Sequence, residues 1–397
     1  MGGGDYMVLD SVSPDECSGS PEWVARTSAA VKKWGVLAVV GPVCSSSAET
    51  LLPTLTGTPA SDLPVLTPWA TSSRLSDANV HPNVLQFVAT NSVVNQALLA
   101  VVRSRGWRAV SIVAVDDAYG KDASSMLVPS FLAIGIHVRL HTFRRPMTDT
   151  GTSKLITDVL AHGDRVIITI MVPSDEVRVH TELRARGNFT VLSHNAAILG
   201  ADVTPPFAGA LVCAPKVVNS PERMVYLEAM RVLGKSTDER SARVWDTTMA
   251  IAYAIQARKK IDRQTRITRA RLIETLRSIV IPSAVSGTYT FSRSRNDYDS
   301  AGAPMVLWNC VLGAVSATEQ ARHARHHAAT PELAALAESQ VQAPRLRHSA
   351  AGPSPTEPKP ELPQSRLLPP GRNAAALAEE RTLTELEKSR LLFPHHN

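Results

Sequence analysis

The stretch GVLAVVGPVCSSSAETLLPTLTGTPASDLPVLTPWATSSRLSD, residues 35–77, decides the fold of this chain. It opens with Val36–Val40, a continuous apolar run rich in β-branched residues. Such a run is typical of a strand that is covered on both faces of a parallel sheet. A tight turn at Gly41-Pro42 follows, and then a serine cluster at residues 45–47, where a helix is expected to begin. The pattern therefore predicts a strand, a turn and a helix.

A second polar turn follows the next strand of the same stretch. Val65-Leu66 predicts the core of that strand, and residues 67–72 (TPWATS) leave it at the same edge of the sheet. In open α/β sheets ligands bind beyond the carboxyl ends of the strands. A helix start leaves backbone N–H groups free and presents a positive dipole end, which suits an anion. The two turns therefore predict a ligand pocket, while the alternative that the serines only cap a helix remains open.

Helices and strands alternate through most of the chain, which predicts an α/β fold with two lobes and a chain that crosses between them more than once. The helical segments are Pro21–Trp34, Asn91–Arg105, Lys121–Ala133, Ser153–His162, Ser174–Arg186, Pro221–Leu233, Ala242–Lys260 and Arg269–Ile279. Outside the opening stretch, the strands are Asp5–Asp10, Ala109–Val115, His137–Phe143, Arg165–Met171, Thr190–Ser193 and Gly209–Pro215, with a closing antiparallel hairpin of Gly287–Phe291 and Met305–Leu312.

Composition excludes several classes of protein. The chain has 397 residues, of which 44% are hydrophobic, and a formal charge of +6. Its basic residues are scattered and accompany no nucleic-acid-binding motif, so no nucleic-acid partner is expected. The sequence holds no apolar run of membrane-spanning length and does not begin like a secretory signal peptide. From Ser316 it becomes rich in Ala, Pro, His and Arg, and we expect residues 318–397 to form a disordered tail.

The sequence carries no signature of catalysis or of a bound metal. Its four cysteines form no CxxC pair, and no His/Cys cluster has metal-ligand spacing, so neither a metal nor a cofactor is expected. No nucleophile elbow, P-loop or GxGxxG motif is present. Asp116 and Asp117 form a carboxylate pair, which we interpret as a solvated turn. We therefore expect a non-enzymatic protein, with an α/β enzyme as the alternative from another class.

Five segments together resemble a known family. They are VVGPVCSSSA (39–48), LPVLTPWATSSRLSD (63–77), GWRAVSIVAVDDAYG (106–120), VLSHNA (191–196) and the closing GTYTF and MVLWNC. In order and spacing they resemble the receptor-family ligand-binding region (ANF-receptor type) with a type I periplasmic-binding-protein fold. The chain is similar in this to branched-chain amino-acid-binding proteins and to the ectodomains of class C and natriuretic-peptide receptors.

The resemblance implies a clamshell of two lobes that closes on a ligand in the cleft. Lobe 1 would hold residues 1–90 plus 220–281, and lobe 2 would hold residues 91–219 plus 282–317. Family members begin with a strand and a helix ahead of the segment that Asp5–Asp10 matches. We therefore expect the first strand and helix of the fold to be missing and the chain to be a fragment of a receptor-like protein or a truncated copy.

The resemblance also implies ligand contacts in the first lobe. Ser45 looks like the family serine that binds an amino-acid carboxylate through its hydroxyl and backbone N–H, and Ser46 stands beside it. Ala70 and Thr71 look like the residues whose backbone and hydroxyl complete that grip.

Two further contacts are implied in the second lobe. Tyr119 looks like the aromatic residue that covers the ligand on closure, and Asn195 falls where amino-acid-binding members place an acid for the ammonium group. An amide carries no charge, so a charge-assisted contact is lost there. Trp69 also replaces a small residue that is usual beside the pocket. Two alternatives stay open: Tyr119 packs at the mouth of the cleft, and Asn195 satisfies a turn.

Three features of the sequence indicate the cellular location of the protein. Cys17 and Cys44 match a loop disulfide of receptor members of the family, which implies an oxidising environment. Cys213 and Cys310 lie in apolar strands, where buried free thiols are expected. Asn188 begins the glycosylation sequon Asn-Phe-Thr. By resemblance we expect an extracellular or cell-surface protein with a membrane-attached parent.

The function expected from the sequence is sensing of a small polar or amino-acid-like ligand by lobe closure, as the ectodomain-like region of a membrane receptor. A homodimer through lobe 1 is also expected from the resemblance. The alternatives are a soluble solute-binding or decoy protein without signalling output, and an inert truncated copy.

Overall fold

The structure is a computed structural model that describes residues 17, 19–55, 62–194, 207–215, 217–235, 237–261, 266–297 and 305–309. All of them belong to one compact unit. The predicted strand Asp5–Asp10, the site residue Asn195, Cys310 and the tail lie outside the described residues.

Helices alternate with strands along the described part of the chain, as the sequence predicts. The helices are α1 (Pro21–Trp34), α2 (Ser45–Leu55), α3 (Asn91–Ser104), α4 (Ala118–Ala133), α5 (Asp149–Leu160), α6 (Pro173–Arg186), α7 (Pro221–Leu233), α8 (Glu239–Ile261) and α9 (Arg269–Ser278). The strands are β1 (Val39–Val40), β2 (Val65–Thr67), β3 (Val84–Gln86), β4 (Ala109–Val115), β5 (His137–Phe143), β6 (Val166–Ile170), β7 (Thr190–Ser193), β8 (Leu211–Pro215), β9 (Ile281–Ser283), β10 (Gly287–Tyr289) and β11 (Met305–Asn309).

The first sheet is parallel and has the strand order β1-β2-β3. Side chains that alternate along a strand point to opposite faces of the sheet. Val65 and Val84 accordingly pack against α1 and α2. Leu66 and Leu85 pack on the other face, in a cluster with side chains of α8 and α9. Helices therefore cover both faces of this sheet.

The second sheet has six strands in the order β11-β8-β7-β6-β4-β5. Strands β4 to β8 run parallel, and β11 pairs with β8 in the antiparallel sense. Ile112 and Ile168 share one cluster with α3 and α4, whereas Val113 and Ile167 share another with α5 and α6. The predicted α/β class, with parallel sheets flanked by helices, is confirmed.

The predicted closing hairpin is wrong. β10 pairs with β9, and β11 pairs with β8. The pairing of β10 with β9 is supported by Asp246 of α8, whose buried carboxylate accepts hydrogen bonds from Ser283 Oγ at 2.6 Å and from the N–H of Ala284 at 2.7 Å. These bonds hold the turn that folds β10 back onto β9. Strand β9 is not predictable from its own residues, since Pro282 interrupts the strand pattern.

Several predicted boundaries also shift by a few residues, as in α5 and α8, and hydrogen bonds explain two of the changes. Only Val39–Val40 of the predicted strand Val36–Val40 joins the ladder, and both residues are half-buried rather than fully covered. One reason is that the carbonyl of Val36 accepts from Arg269 Nε at 2.9 Å instead of from a neighbouring strand. The predicted turn 116–120 is shorter, because Asp117 caps α4 by accepting the Gly120 N–H at 3.0 Å. The helix therefore begins at Ala118.

Candidate functional site

The two polar turns of the opening stretch are bound to each other. Thr67 Oγ1 donates to the carbonyl of Pro42 at 2.7 Å and accepts the N–H of Ala70 at 3.0 Å. The N–H of Ser72 donates to Ser45 Oγ at 3.1 Å. Ser45 therefore uses its hydroxyl oxygen to join the turns, not to cap an amide of its own helix.

A buried glutamine fixes the shape of the second turn. Gln86 Nε2 donates to the carbonyl of Ala70 at 2.9 Å and to that of Ser72 at 3.0 Å, and its Oε1 accepts from Ser76 Oγ at 2.9 Å. The side chain is fully buried, so these hydrogen bonds satisfy groups that have no access to water. The turn is consequently rigid before any ligand binds.

The start of α2 faces the pocket and is tied down by a disulfide. Ser45 to Ser47 form its first turn, whose N–H groups have no acceptor within the helix. Ser46 Oγ donates to the carbonyl of Cys17 at 2.8 Å. Cys17 and Cys44 form a disulfide, as the resemblance implied, with their Cα atoms 5.0 Å apart. A crosslink that spans 27 residues typically adds about 3 kcal/mol to stability.

A chain of hydrogen bonds forms the opposite wall. Tyr119 Oη lies 2.9 Å from His194 Nδ1, and His194 Nε2 lies 3.1 Å from Asn95 Oδ1. Asn95 uses its amide NH₂ to donate to the carbonyl of Ala123, so its Oδ1 is an acceptor. His194 therefore carries its proton on Nε2, and Tyr119 donates to Nδ1. The hydroxyl oxygen of Tyr119 keeps its lone pairs for a ligand.

Burial keeps both rings of this wall neutral. It lowers the pKa of His194 to about 3. It also raises the pKa of Tyr119 well above its ordinary value. The wall therefore offers hydrogen bonds but no charge at neutral pH.

The third wall carries an ion pair. Arg243 of α8 is 1% exposed, and its Nη2 lies 2.5 Å from Glu239 Oε1. Its Nη1 donates to the carbonyl of Phe87 at 2.6 Å, and its guanidinium carbon lies 5.4 Å from the centre of the Trp69 ring. The large Trp69 thus packs on a cation, which accounts for an aromatic residue at this position.

The pocket lies at the carboxyl ends of strands from both sheets, as the topological rule predicts. Its walls combine hydroxyls, two acids, one arginine and apolar side chains. Its lining residues are Cys17, Val43, Cys44, Ser45, Ser46, Trp69, Thr71, Val88, Ala89, Val94, Asp117, Tyr119, Val172, His194, Cys213, Glu239 and Arg243.

Four of the six residues that the resemblance implied as ligand contacts line this pocket: Ser45, Ser46, Thr71 and Tyr119. Ala70 does not, because its side chain is fully buried against Ala48 and Leu75. Both of its backbone polar groups are engaged by Thr67 and Gln86. Asn195 lies outside the described residues, directly after the lining residue His194.

The remaining expectations concern groups outside the ligand contacts. Cys213 is a buried free thiol, and burial raises its pKa to about 12, which makes it unreactive. Asn188 is exposed in the loop between α6 and β7. Within the described ranges, no group of three His, Cys, Asp or Glu side chains is placed to hold a metal ion. In the same part of the chain, no helix combines the length and the apolar character that crossing a membrane requires.

A pocket of mixed polar and apolar lining at the strand ends of two α/β sheets defines a small-molecule-binding protein. The chain belongs to the receptor family ligand binding region, whose family model matches residues 12–295. The predicted family is thereby confirmed.

Relatives and solved structures agree with this assignment. The chain is 24% identical over 238 residues to a metabotropic glutamate receptor-like protein E of Dictyostelium discoideum, which covers 55% of this chain and 29% of the relative. A solute-binding protein from R. palustris in complex with benzoate matches with a TM-score of 0.64 and 14% identity, over 75% of this chain and 81% of that one. A leucine-binding protein from Thermotoga maritima matches with a TM-score of 0.62 and 16% identity, over 75% and 83%.

The chain thus spans less than a third of the length of the receptor-like relative. Its solved neighbours show the two-lobed periplasmic-binding-protein fold.

Sequence reasoning missed Gln86, His194, Glu239 and Arg243. The sequence carries no local motif for them, since their partners lie far away along the chain: Arg243 and Phe87 are 156 residues apart. A usable signal would have been a polar residue at the carboxyl end of a strand, which describes Gln86 and His194.

Proposed function

We propose that the chain binds a small amino-acid-like carboxylate in this pocket and responds by lobe closure. The observation that carries the proposal is that Ser45, at the start of α2, and Thr71 lie in one pocket with Tyr119. The α2 start supplies unpaired N–H groups and a positive dipole end, which suit a carboxylate. Tyr119, on α4, supplies the cover from the other side.

The packing of the described residues supports a division into two lobes. We assign residues 1–90 and 220–281 to the first lobe, as the resemblance implies, and extend it to Asp297. Tyr289 and Phe291 support the extension, because they pack in one cluster with Leu66 of the first sheet. The second lobe is then built on the six-stranded sheet. Ligand contacts from both lobes favour the closed form, and this population shift is the output signal.

Ala70 has a supporting role in this proposal. Its backbone groups hold the turn that presents Thr71, so it acts on the ligand through its neighbour. A soluble solute-binding protein without signalling output is the second candidate, favoured by the leucine-binding and benzoate-binding neighbours. A homodimer through the first lobe stays a prediction.

Ligand binding is testable on the purified chain. We expect L-leucine, L-glutamate or benzoate to raise the thermal midpoint in a concentration-dependent manner, whereas glucose does not. In the Ser45→Ala variant, loss of a hydroxyl that contacts a charged group is expected to weaken binding about tenfold or more. Isothermal titration calorimetry measures this loss.

Ser104→Ala is the matched control, because the Ser104 hydroxyl bonds only locally, to the carbonyl of Val101 at the end of α3. Binding as tight in Ser45→Ala as in Ser104→Ala would contradict the proposed site. An absence of any response to carboxylates would contradict the proposed function.

We also propose an extracellular location. The disulfide and the exposed sequon at Asn188 support it, since both modifications occur in oxidising, secretory compartments. When the chain is expressed through a secretory pathway, we expect mass spectrometry to find a glycan at Asn188 and a Cys17–Cys44 crosslink. Asn188→Gln is the control that removes the glycan. An unmodified sequon together with free Cys17 and Cys44 thiols would count against this location.

A further inference from the structure

Two carboxylates line the pocket among the residues that the structure describes, and they are engaged differently. Asp117 belongs to α4, where its Oδ1 caps the helix by accepting the Gly120 N–H. Glu239 belongs to α8, and the hydrogen bonds that the described residues make to its carboxylate all go to Oε1, which accepts from Arg243 Nε at 3.0 Å and from Nη2 at 2.5 Å. Both donors converge on one oxygen, so Oε2 of Glu239 keeps its acceptor capacity beside the pocket.

Arg243 is fixed in place and does not act as the ligand's counter-ion. It is held from three sides, by Glu239, by the carbonyl of Phe87 and by the face of Trp69. A side chain with these contacts, at 1% exposure, cannot turn toward a ligand without leaving the Phe87 carbonyl unpaired. Its structural effect is to orient Glu239, whose side chain is 10% exposed.

The pocket therefore presents three kinds of surface to a ligand. The α2 start with Ser45 suits an anion, the side chains of Val88, Val94 and Val172 suit an apolar group, and Glu239 Oε2 suits a cation. A molecule with these three parts is a zwitterionic α-amino acid with an apolar side chain.

We propose that Glu239 is the specificity residue that accepts the ammonium group of such an amino acid. The proposal rests on the function proposed above and names its ligand class. It also offers a substitute for the charge that is absent at Asn195: the acid is supplied by α8 instead of the segment after β7.

Matched ligands test this assignment on the full chain. Each amino acid is compared by calorimetry with the acid that lacks its amino group: L-leucine with 4-methylpentanoate, L-phenylalanine with 3-phenylpropanoate, and L-glutamate with glutarate. For at least one pair, we expect the wild type to bind the amino acid about tenfold or more tightly, since a hydrogen bond to a charged group is lost in the partner.

Variants then locate the preference. Glu239→Gln is expected to reduce the preference to about threefold or less, because a neutral amide makes no charge-assisted hydrogen bond with the ammonium group. Asp117→Asn, which keeps the helix cap, should retain the full preference. If Glu239→Gln is too unstable to measure, Glu239→Asp keeps a charge for Arg243 and should still weaken binding of the amino acid alone.

The possible failures are distinguishable. Equal binding of both members of every pair by the wild type overturns the role of Glu239 but leaves the proposed function standing, as does a preference that survives Glu239→Gln. If the preference is lost in Asp117→Asn and not in Glu239→Gln, the ammonium group is bound by Asp117 of α4, and the role of Glu239 is overturned. If no member of any pair binds to the folded wild type, the proposed function fails together with this inference.

Discussion

The Gly120→Ala variant is expected to be less stable than the wild type by about 3 kcal/mol, and to lose ligand affinity at the same time. A Cβ at position 120 would lie 1.9 Å from the carbonyl oxygen of Val115 and 2.9 Å from its carbonyl carbon. Both are backbone atoms at the end of β4 and cannot rotate away. The start of α4 must therefore move off the sheet.

That movement affects the pocket directly. The Gly120 N–H is the group that Asp117 caps, and Tyr119 precedes it on the same turn. A displaced α4 start separates Tyr119 from His194, whose hydrogen bond is 2.9 Å long. We therefore expect the variant to bind the ligand at least several-fold more weakly even where it remains folded.

Urea unfolding followed by circular dichroism measures the stability change. Gly151→Ala in α5 is the matched control, because the nearest atom to its Cβ is the Thr148 hydroxyl at 3.1 Å, a side-chain atom that can shift slightly while it still caps the helix by accepting the Gly151 N–H. Alanine also gains helix propensity over glycine by up to about 1 kcal/mol. Equal stabilities of the two variants would show that α4 is not packed against β4 as described.

The sequence predicts best the boundaries of those helices and strands that are determined by their own residues. α1, β4, β5, β7 and α7 have the predicted boundaries, because each has a strong period or a clear cap and breaker at its ends. The elements that failed depend on distant residues. The pairing of β11 with β8 joins segments about a hundred residues apart, and the β9–β10 turn is held by Asp246 of α8.

The same division holds for the candidate site. Ser45 and Thr71 were predictable, since the strand-end rule places their turns at one edge of a parallel sheet. Glu239 and Arg243 were not, because a helix of ordinary polar composition gives no sign that its first turns reach a pocket. The role of Ala70 was not predictable either. The same sequence pattern is compatible with backbone groups that bond to the protein's own side chains and with backbone groups that bind a ligand.

Raising the pH from about 5 to about 8 is expected to destabilise the wild type relative to the Glu176→Gln variant by several kcal/mol. Glu176 is completely buried, and its Oε1 accepts from Thr169 Oγ1 and from Ser193 Oγ, each at 2.6 Å. Its Oε2 has no hydrogen-bond partner among the described residues. Burial therefore raises the pKa of this carboxyl from its ordinary 4.5 to about 8, although the two hydroxyl donors favour the charged form.

The direction of the effect follows from where the proton is bound. Below pH 4.5 the carboxyl is protonated in both states, and its contribution to stability is fully present. Between 4.5 and about 8 only the folded state holds the proton, so the contribution falls as the pH rises, by up to about 1.4 kcal/mol per pH unit. Glutamine keeps an oxygen for both hydroxyl donors but does not ionise.

Other groups titrate in the same pH range. The difference in free energy of unfolding between the wild type and Glu176→Gln is therefore more informative than the pH profile of either protein alone. Burial lowers the pKa of His194 to about 3, so this residue costs stability as the pH falls below its ordinary 6.5, in the opposite sense. Burial raises the pKa of Asp246 to about 6, so its contribution also falls as the pH rises from its ordinary 3.8. Both groups are present in the wild type and in Glu176→Gln, and they cancel when one free energy of unfolding is subtracted from the other.

Urea unfolding at half-unit pH intervals measures that difference. The matched control is Glu182→Gln on the same helix: Glu182 is partly exposed, and hydrogen bonding to Arg186 lowers its pKa. Its contribution is lost only as the pH falls below its ordinary 4.5, so this variant should follow the wild-type profile between pH 5 and 8. A wild-type profile parallel to that of Glu176→Gln over the same range would mean that Glu176 is ionised in the folded protein. The buried carboxylate would then need a cationic partner that the described residues do not supply.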